Sequence, residues 1–165
     1  MRRLILFELL VVAIPCLAFE QSQTPPPPRP GPEIQRLGSF VGTWKTEDET
    51  VTWEWFTGGF SLIGHVENSG PVKSSELRII TYDPVAGDYT QYRVTSLGPG
   101  GDLGRLTVKG NTWLSQWDGT EDGKPAKYRF AIVEVTPTSF TAKLETSVAG
   151  GPWTVTFETK AVKIK

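Results

Sequence analysis

Cysteine and histidine, the side chains from which most metal sites and many catalytic sites are built, are almost missing from this sequence. Cys16 is the only cysteine and His65 the only histidine among 165 residues. A zinc site usually takes three or four ligands, mostly from these two residue types, so this chain could complete one only with carboxylates. We therefore expect no metal site and no cofactor.

A surplus of charge of one sign is missing as well. The 17 lysine and arginine residues are balanced by 18 aspartates and glutamates, which gives a formal net charge of −1. Proteins that bind nucleic acid neutralise its phosphates with a cationic surface, whereas here both signs are scattered along the chain. Nucleic acid is therefore not expected as a partner.

A long apolar run occurs only at the N-terminus. Arg2 and Arg3 precede it, and the small residues Cys16 and Ala18 occupy positions −3 and −1 of a cleavage site after Ala18. This pattern is typical of a signal peptide over residues 1–18, so we expect a secreted or periplasmic protein with no transmembrane span in the mature chain. Cleavage would remove the only cysteine, and with it any thiol nucleophile. The alternative is a lipoprotein acylated at Cys16.

Proline is concentrated directly after that segment. Residues 19–33 include the stretch QSQTPPPPRPGPE, which predicts an extended linker without a core of its own. A single domain is predicted over residues 34–165. It opens with apolar residues spaced for one or two helical turns from Ile34 to Val41, ended by Gly42.

Beyond Gly42 the apolar pattern has a period of two, which is typical of half-buried strands. The residues that share a face in this alternation are Val51 with Trp53 and Trp55, Trp113 with Trp117, and Trp153 with Val155 and Phe157. Turn sequences rich in glycine, asparagine, aspartate and proline separate these segments. We predict an all-β fold, an antiparallel up-and-down β-barrel of about nine or ten strands with a short N-terminal helix, because closure removes free strand edges.

Several short motifs follow one another along this domain. They are Gly42-Thr43-Trp44, Gly58-Gly59-Phe60, Tyr82-Asp83-Pro84 with Tyr89, and the closing strand from Trp153 to Val162. Their order resembles that of the lipocalin-like (calycin) barrels and, more closely, a family of secreted bacterial proteins of unknown function with that fold. In lipocalins the tryptophan of the first motif closes one end of the barrel and packs under an arginine near the last strand. The resemblance implies that Gly42 and Trp44 close this barrel, with Lys160 or Lys163 replacing the arginine.

The sequence favours a binding protein over an enzyme, and no catalytic residue is predicted. Ser61 and His65 are the best candidates for a nucleophile and its base, yet on one strand they would lie roughly 13 Å apart, too far for proton transfer. The resemblance implies a cup for a small ligand and implies no reaction.

Six residues are candidates for a ligand site inside the barrel. They are Trp53, Trp55, Trp117 and Tyr128 as aromatic lining, Arg93 as a partner for a ligand carboxylate, and His65 as a polar contact or an axial ligand of haem. The alternatives are a filled core for the aromatic residues and a solvent-facing position for the arginine and histidine. We expect a small apolar or amphiphilic ligand. The alternative function is a surface-associated β-domain that binds carbohydrate or protein.

Overall fold

The computed structural model describes residues 28–165. The predicted signal peptide and most of the predicted linker lie outside these residues. One helix, α1, spans Pro32–Arg36 and continues as a 3-10 turn over Leu37–Phe40. The strands are β1 Gly42–Lys45, β2 Glu49–Trp55, β3 Ser61–Asn68, β4 Ser74–Asp83, β5 Asp88–Thr95, β6 Gly101–Lys109, β7 Thr112–Glu121, β8 Lys124–Val133, β9 Ser139–Val148 and β10 Thr154–Lys163.

The helical segment starts where its sequence allows a start. Proline is favoured in the first turn of a helix, because its missing N–H would have no intrahelical partner there, and α1 begins at Pro32. Glu33 in the first turn and Arg36 in the last turn match the helix dipole. The segment ends in the 3-10 turn, whose Leu37 and Phe40 are buried. The predicted helix is therefore confirmed, although it begins two residues earlier than the apolar spacing suggested.

The ten strands form one closed antiparallel barrel, which confirms the predicted fold class. Each strand pairs with the next along the chain, and β1 pairs with β10 to close the ring. Every connection is therefore a hairpin or short loop between neighbours, as the regular spacing of turn sequences predicted.

The two ends of the barrel differ. The buried core combines the helical segment with inward-facing side chains of the strands, namely Leu37, Phe40, Trp44, Val51, Trp53, Leu62, Val66, Ile80, Tyr89, Leu106, Trp113, Phe140, Ala142 and Ala161. We call the end that the helical segment fills the plugged end. The opposite end, where the turns 46–48, 69–73, 96–100, 122–123 and 149–153 lie, is called the open end.

Two of the ten seams between strands are short. The register between β6 and β7 runs only from Thr107 opposite Leu114 to Lys109 opposite Thr112, and β1 meets β10 only at Trp44 and Lys45. Both seams lie at the plugged end. Towards the open end the barrel therefore consists of two walls without a shared ladder, the first wall formed by β1–β6 and the second by β7–β10.

A β-bulge changes one predicted face. Val155 lies opposite Glu145 and Phe157 opposite Leu144, so one residue of β10, Thr156, has no partner on β9. Because adjacent residues of β9 point to opposite faces, Val155 points outward and Phe157 inward. The prediction that Trp153, Val155 and Phe157 share a face is wrong for this reason.

Candidate functional site

Trp44 is the centre of the plugged end. Its side chain is fully buried, its indole Nε1 donates a 2.7 Å hydrogen bond to the carbonyl oxygen of Phe40, and its ring centroid lies 4.9 Å from that of Phe140. The hydrogen bond joins the 3-10 turn to the first strand, and the buried indole is part of the core at this end.

The cation beside Trp44 is Lys163. Its ammonium nitrogen lies 5.5 Å from the centroid of the Trp44 ring, within the range of a cation–π contact. Lys160 lies opposite Thr141 of β9 and is exposed, so it does not fill this position. The reason is the alternation of β10, because Lys163 shares the inward face with Ala161 whereas Lys160 does not.

Gly42 is required by the backbone at this closure. Its φ is 121°, a value that side-chain-bearing residues rarely adopt, and a Cβ there would overlap the carbonyl oxygen of Lys165 and lie 2.5 Å from Cε of Lys163. Two backbone hydrogen bonds, both 2.8 Å long, join the residues that follow β10 to β1. The N–H of Thr43 donates to the carbonyl oxygen of Lys165, and the N–H of Ile164 donates to the carbonyl oxygen of Thr43.

Tyr89 anchors α1 across the plugged end. Its hydroxyl donates a 2.7 Å hydrogen bond to the carbonyl oxygen of Glu33, and its ring lies 4.8 Å from that of Trp113. Burial raises the pKa of the Tyr89 hydroxyl, so the group stays a neutral donor through the physiological range. Side chains thus fill this end, and a ligand site has to be sought at the other.

Aromatic side chains at the open end remain in contact with solvent. Trp117 and Tyr128 are stacked, with ring centroids 5.5 Å apart and an interplanar angle of 12°, and they form what we call the aromatic platform. They lie opposite each other on inward positions of β7 and β8, yet Trp117 is 46% exposed. Phe157, on an inward position of the same wall, is 49% exposed. The sequence predicted Trp117 and Tyr128 as lining, and the structure brings these two together.

Two features fix the orientation of the platform. The Tyr128 hydroxyl donates 2.8 and 2.9 Å hydrogen bonds to Oε2 of Glu121 and to the carbonyl oxygen of Thr120. The bond to the carboxylate raises the pKa of the Tyr128 hydroxyl. The ring lies over Gly119, where a Cβ would approach it to 2.9 Å. The platform is therefore positioned in advance of any ligand.

Arg93, the predicted partner of a ligand carboxylate, and its neighbour Arg78 both occupy inward positions of the first wall, and both are already paired. Arg78 is only 20% exposed in its side chain, and it donates hydrogen bonds of 2.8–2.9 Å to Glu76 and 3.1 Å to Glu49. Arg93 lies opposite it on β5 and donates to Asp102, with 3.1 Å between Nε and Oδ2. Arg93 is thus inward-facing but held by a carboxylate of the protein.

The remaining candidates do not join this group. Trp53 is buried, and its ring covers Gly64 on the neighbouring strand. Trp55 lies at the plugged end, where its ring is 3.6 Å from the Cβ position of Gly38. His65 points outward with a side chain that is 61% exposed, and its nearest charged group is Glu54 at 3.9 Å. The structure therefore places His65 outside the barrel, away from the other five candidates.

Replacement of Arg78 by methionine should reveal how strongly the inward carboxylates depend on it. Glu49 and Glu76 would then lose their shared cation while remaining only 29% and 15% exposed. We expect the free energy of unfolding to fall by about 1 kcal/mol in urea denaturation followed by circular dichroism. Arg93→Met is the matched control, because its pair is far more exposed, and it should have a smaller effect. An equal loss of stability in the two variants would contradict the dependence of Glu49 and Glu76 on Arg78.

The chain was compared with protein-family models and with curated proteins. No protein-family model matches the chain, and no curated protein matches it. Among residues 28–165 no group of three or more histidine, cysteine, aspartate or glutamate side chains is arranged to hold a metal ion. Within the same residues no helix is long and apolar enough to cross a membrane.

Proposed function

We propose that this protein is an exported, lipocalin-like binding protein that takes up a small apolar or amphiphilic molecule at the open end of its barrel. The observation that carries the proposal is the aromatic platform. A stacked pair of inward-facing rings, of which Trp117 is 46% exposed, leaves apolar surface available to a ligand, whereas the opposite end of the barrel is filled.

The separation of the two walls supports the same proposal. With only three residue pairs between β6 and β7 and two between β1 and β10, the walls are not tied to one another beside the platform. A ligand on the platform can therefore be reached from the open end without breaking a strand ladder. The polar groups of Arg78, Glu76 and Asp102 on the facing wall are available to contact the polar part of an amphiphilic ligand.

The proposed relation to lipocalin-like barrels rests on the plugged end. A glycine–threonine–tryptophan motif at the first strand, a helical segment before it and a cation over the tryptophan ring all occupy places that the resemblance implies. The barrel has ten strands where lipocalins have eight, so the proposal concerns a lipocalin-like barrel in the wider sense. Export is proposed from the N-terminal sequence of residues 1–18.

Binding of a neutral amphiphile would test the proposed function directly. We expect dodecyl maltoside, added below its micelle concentration to the purified protein, to bind and to change tryptophan emission. Trp117→Ala should weaken binding about tenfold, because a ring of this size contributes on the order of 1–2 kcal/mol of contact. Titration calorimetry or native mass spectrometry measures the affinity independently of fluorescence.

Trp153→Ala is the matched control for that experiment. Trp153 is also partly exposed, but its ring lies under the guanidinium of Arg129 at 4.4 Å, and Arg129 occupies an outward position of β8. Its loss should leave amphiphile binding unchanged. Equal effects of the two substitutions, or no binding by the unmodified protein, would contradict the proposal.

A second candidate function follows from the same exposed rings. Flat aromatic faces also bind sugars, and Trp117 of the aromatic platform is 46% exposed. A surface-associated module that binds carbohydrate would use this platform as its contact surface. Binding of a soluble oligosaccharide such as maltose that is abolished by Trp117→Ala, with no binding of a dodecyl amphiphile that lacks a sugar head group, would favour this function over a carrier.

A further inference from the structure

We propose that the ligand of the open end is a cationic amphiphile, an alkyl chain with an ammonium or amidinium head group, rather than a carboxylate such as a fatty acid. This inference rests on the proposed function and specifies its ligand class. It reverses the expectation for Arg93, and the reasons lie in how the inward-facing charges are paired and in what surrounds the aromatic platform.

The two inward-facing arginines are already neutralised by the protein. Arg93 donates to Asp102, and Arg78 donates to two carboxylates, Glu49 and Glu76. An anionic head group would have to displace one of these carboxylates and leave it without its partner in a partly buried place, which is unfavourable. The pairing thus makes both arginines unfavourable positions for a ligand carboxylate.

Carboxylates exceed cations along the inner surface of the open end. The charged residues at inward positions there are Glu49, Glu76, Asp102 and Glu121 against Arg78, Arg93 and Lys124. Arg78 shares its single charge between two glutamates, so that cluster keeps a net negative charge. A cation entering beside it would gain electrostatic energy without displacing any group of the protein.

The turns around the open end extend the same charge. Glu47, Asp48 and Asp122 lie in these turns against Lys73 alone. The field of such a rim attracts cations and repels anions before contact is made, and salt weakens this effect. Selection by charge is therefore expected in the association step as well as in the bound state.

The aromatic platform itself favours a cation. The face of an indole or phenol ring carries negative electrostatic potential and attracts ammonium groups within about 6 Å of its centroid. Glu121 lies at the edge of the platform, because it accepts the hydrogen bond of the Tyr128 hydroxyl. A head group at the edge of the platform beside the Tyr128 hydroxyl would thus meet the aromatic pair and this carboxylate, while the alkyl chain covers the exposed apolar surface of Trp117 towards Phe157.

Three amphiphiles with the same chain and different head groups test the inference. Dodecyltrimethylammonium, dodecyl maltoside and dodecanoate are titrated into the full chain below their micelle concentrations, at low and at physiological salt. We expect the ammonium compound to bind about tenfold more tightly than dodecanoate, with a preference that shrinks as salt is added. The order of affinities is the readout, measured by calorimetry.

Charge-neutralising substitutions show which carboxylate causes the preference for the ammonium compound over dodecanoate. Glu121→Gln should reduce the preference for the ammonium compound over dodecanoate about threefold or more while changing maltoside affinity little. Glu54→Gln is the matched control, because Glu54 carries the same charge on an outward position of the first wall and is 65% exposed. It should leave the preference unchanged.

The possible outcomes separate this inference from the proposed function. If dodecanoate binds as tightly as the ammonium compound or more tightly, or if all three bind equally, the inference is overturned and the proposed function stands. If none of the three binds, the proposed function fails and the inference fails with it. If the ammonium preference persists in Glu121→Gln and is lost in Glu54→Gln, the open end is not its source and the inference is overturned.

Discussion

Replacing Trp44 with alanine is expected to lower the free energy of unfolding by about 3–5 kcal/mol. The side chain is fully buried, it contacts Phe140, and it donates a hydrogen bond to the backbone of Phe40, so its removal leaves a cavity and an unpaired carbonyl oxygen. Lys163 would lose the ring over which it lies. Urea denaturation followed by far-ultraviolet circular dichroism measures the loss without depending on tryptophan emission.

Two further substitutions separate the contributions at this position. Trp44→Phe keeps an aromatic ring but removes the indole donor, so it should recover a large part of the stability lost in the alanine variant. Trp55→Ala is the control, because Trp55 is also an inward-facing tryptophan of the plugged end but is 38% exposed. Its loss should destabilise the protein by about 1 kcal/mol. A similar loss at both positions would show that Trp44 does not close the barrel.

The sequence allowed the architecture to be predicted because most strands carry their apolar side chains on one face. The alternation of Val51, Trp53 and Trp55 predicted their inward positions correctly, and the same holds for Trp113 with Trp117. Turn sequences marked the ends of the strands. Antiparallel neighbours need only short connections, so a run of hairpins has few ways to fold, and closure of the barrel was predictable from local information.

Departures from strict alternation could not be predicted. The bulge at Thr156 depends on how β10 pairs with β9, and it moves Phe157 from the face of Val155 to the opposite face. The same uncertainty of register left Lys160 and Lys163 as equivalent partners for Trp44. Register is a property of two strands together, and the pattern of one strand alone does not fix it.

The pairing of the inward-facing arginines with carboxylates could not be predicted from the sequence either. Arg78 and Glu49 are 29 residues apart and meet across the strand that lies between them, so nothing local indicates that this guanidinium is already paired. Exposure of the aromatic platform depends in turn on the short seam between β6 and β7. The sequence could identify Trp117 and Tyr128 as aromatic residues of a barrel interior, but only the assembled walls show that they remain open to a ligand.

Gly64→Ala is expected to destabilise the first wall by about 2–3 kcal/mol. Gly64 lies opposite Trp53, whose buried ring covers it so closely that a Cβ would come within 2.6–2.8 Å of three ring carbons. The backbone of Gly64 has ordinary extended geometry, since its φ is not positive, so the effect would come from this overlap alone. Urea denaturation should show a lower midpoint with an unchanged slope.

Gly104→Ala is the matched control for this substitution. Gly104 also lies on an inward position, in β6, but the nearest atom to its Cβ position is Oγ of Ser115 at 3.9 Å. Alanine fits there without displacement, and it restricts the unfolded chain more than glycine does, so this variant should be neutral or stabilised by up to about 1 kcal/mol. If Gly64→Ala is equally well tolerated, Trp53 can move away from β3. The first wall would then be adaptable, and the rigid side of the ligand site would be limited to the aromatic platform on the second wall.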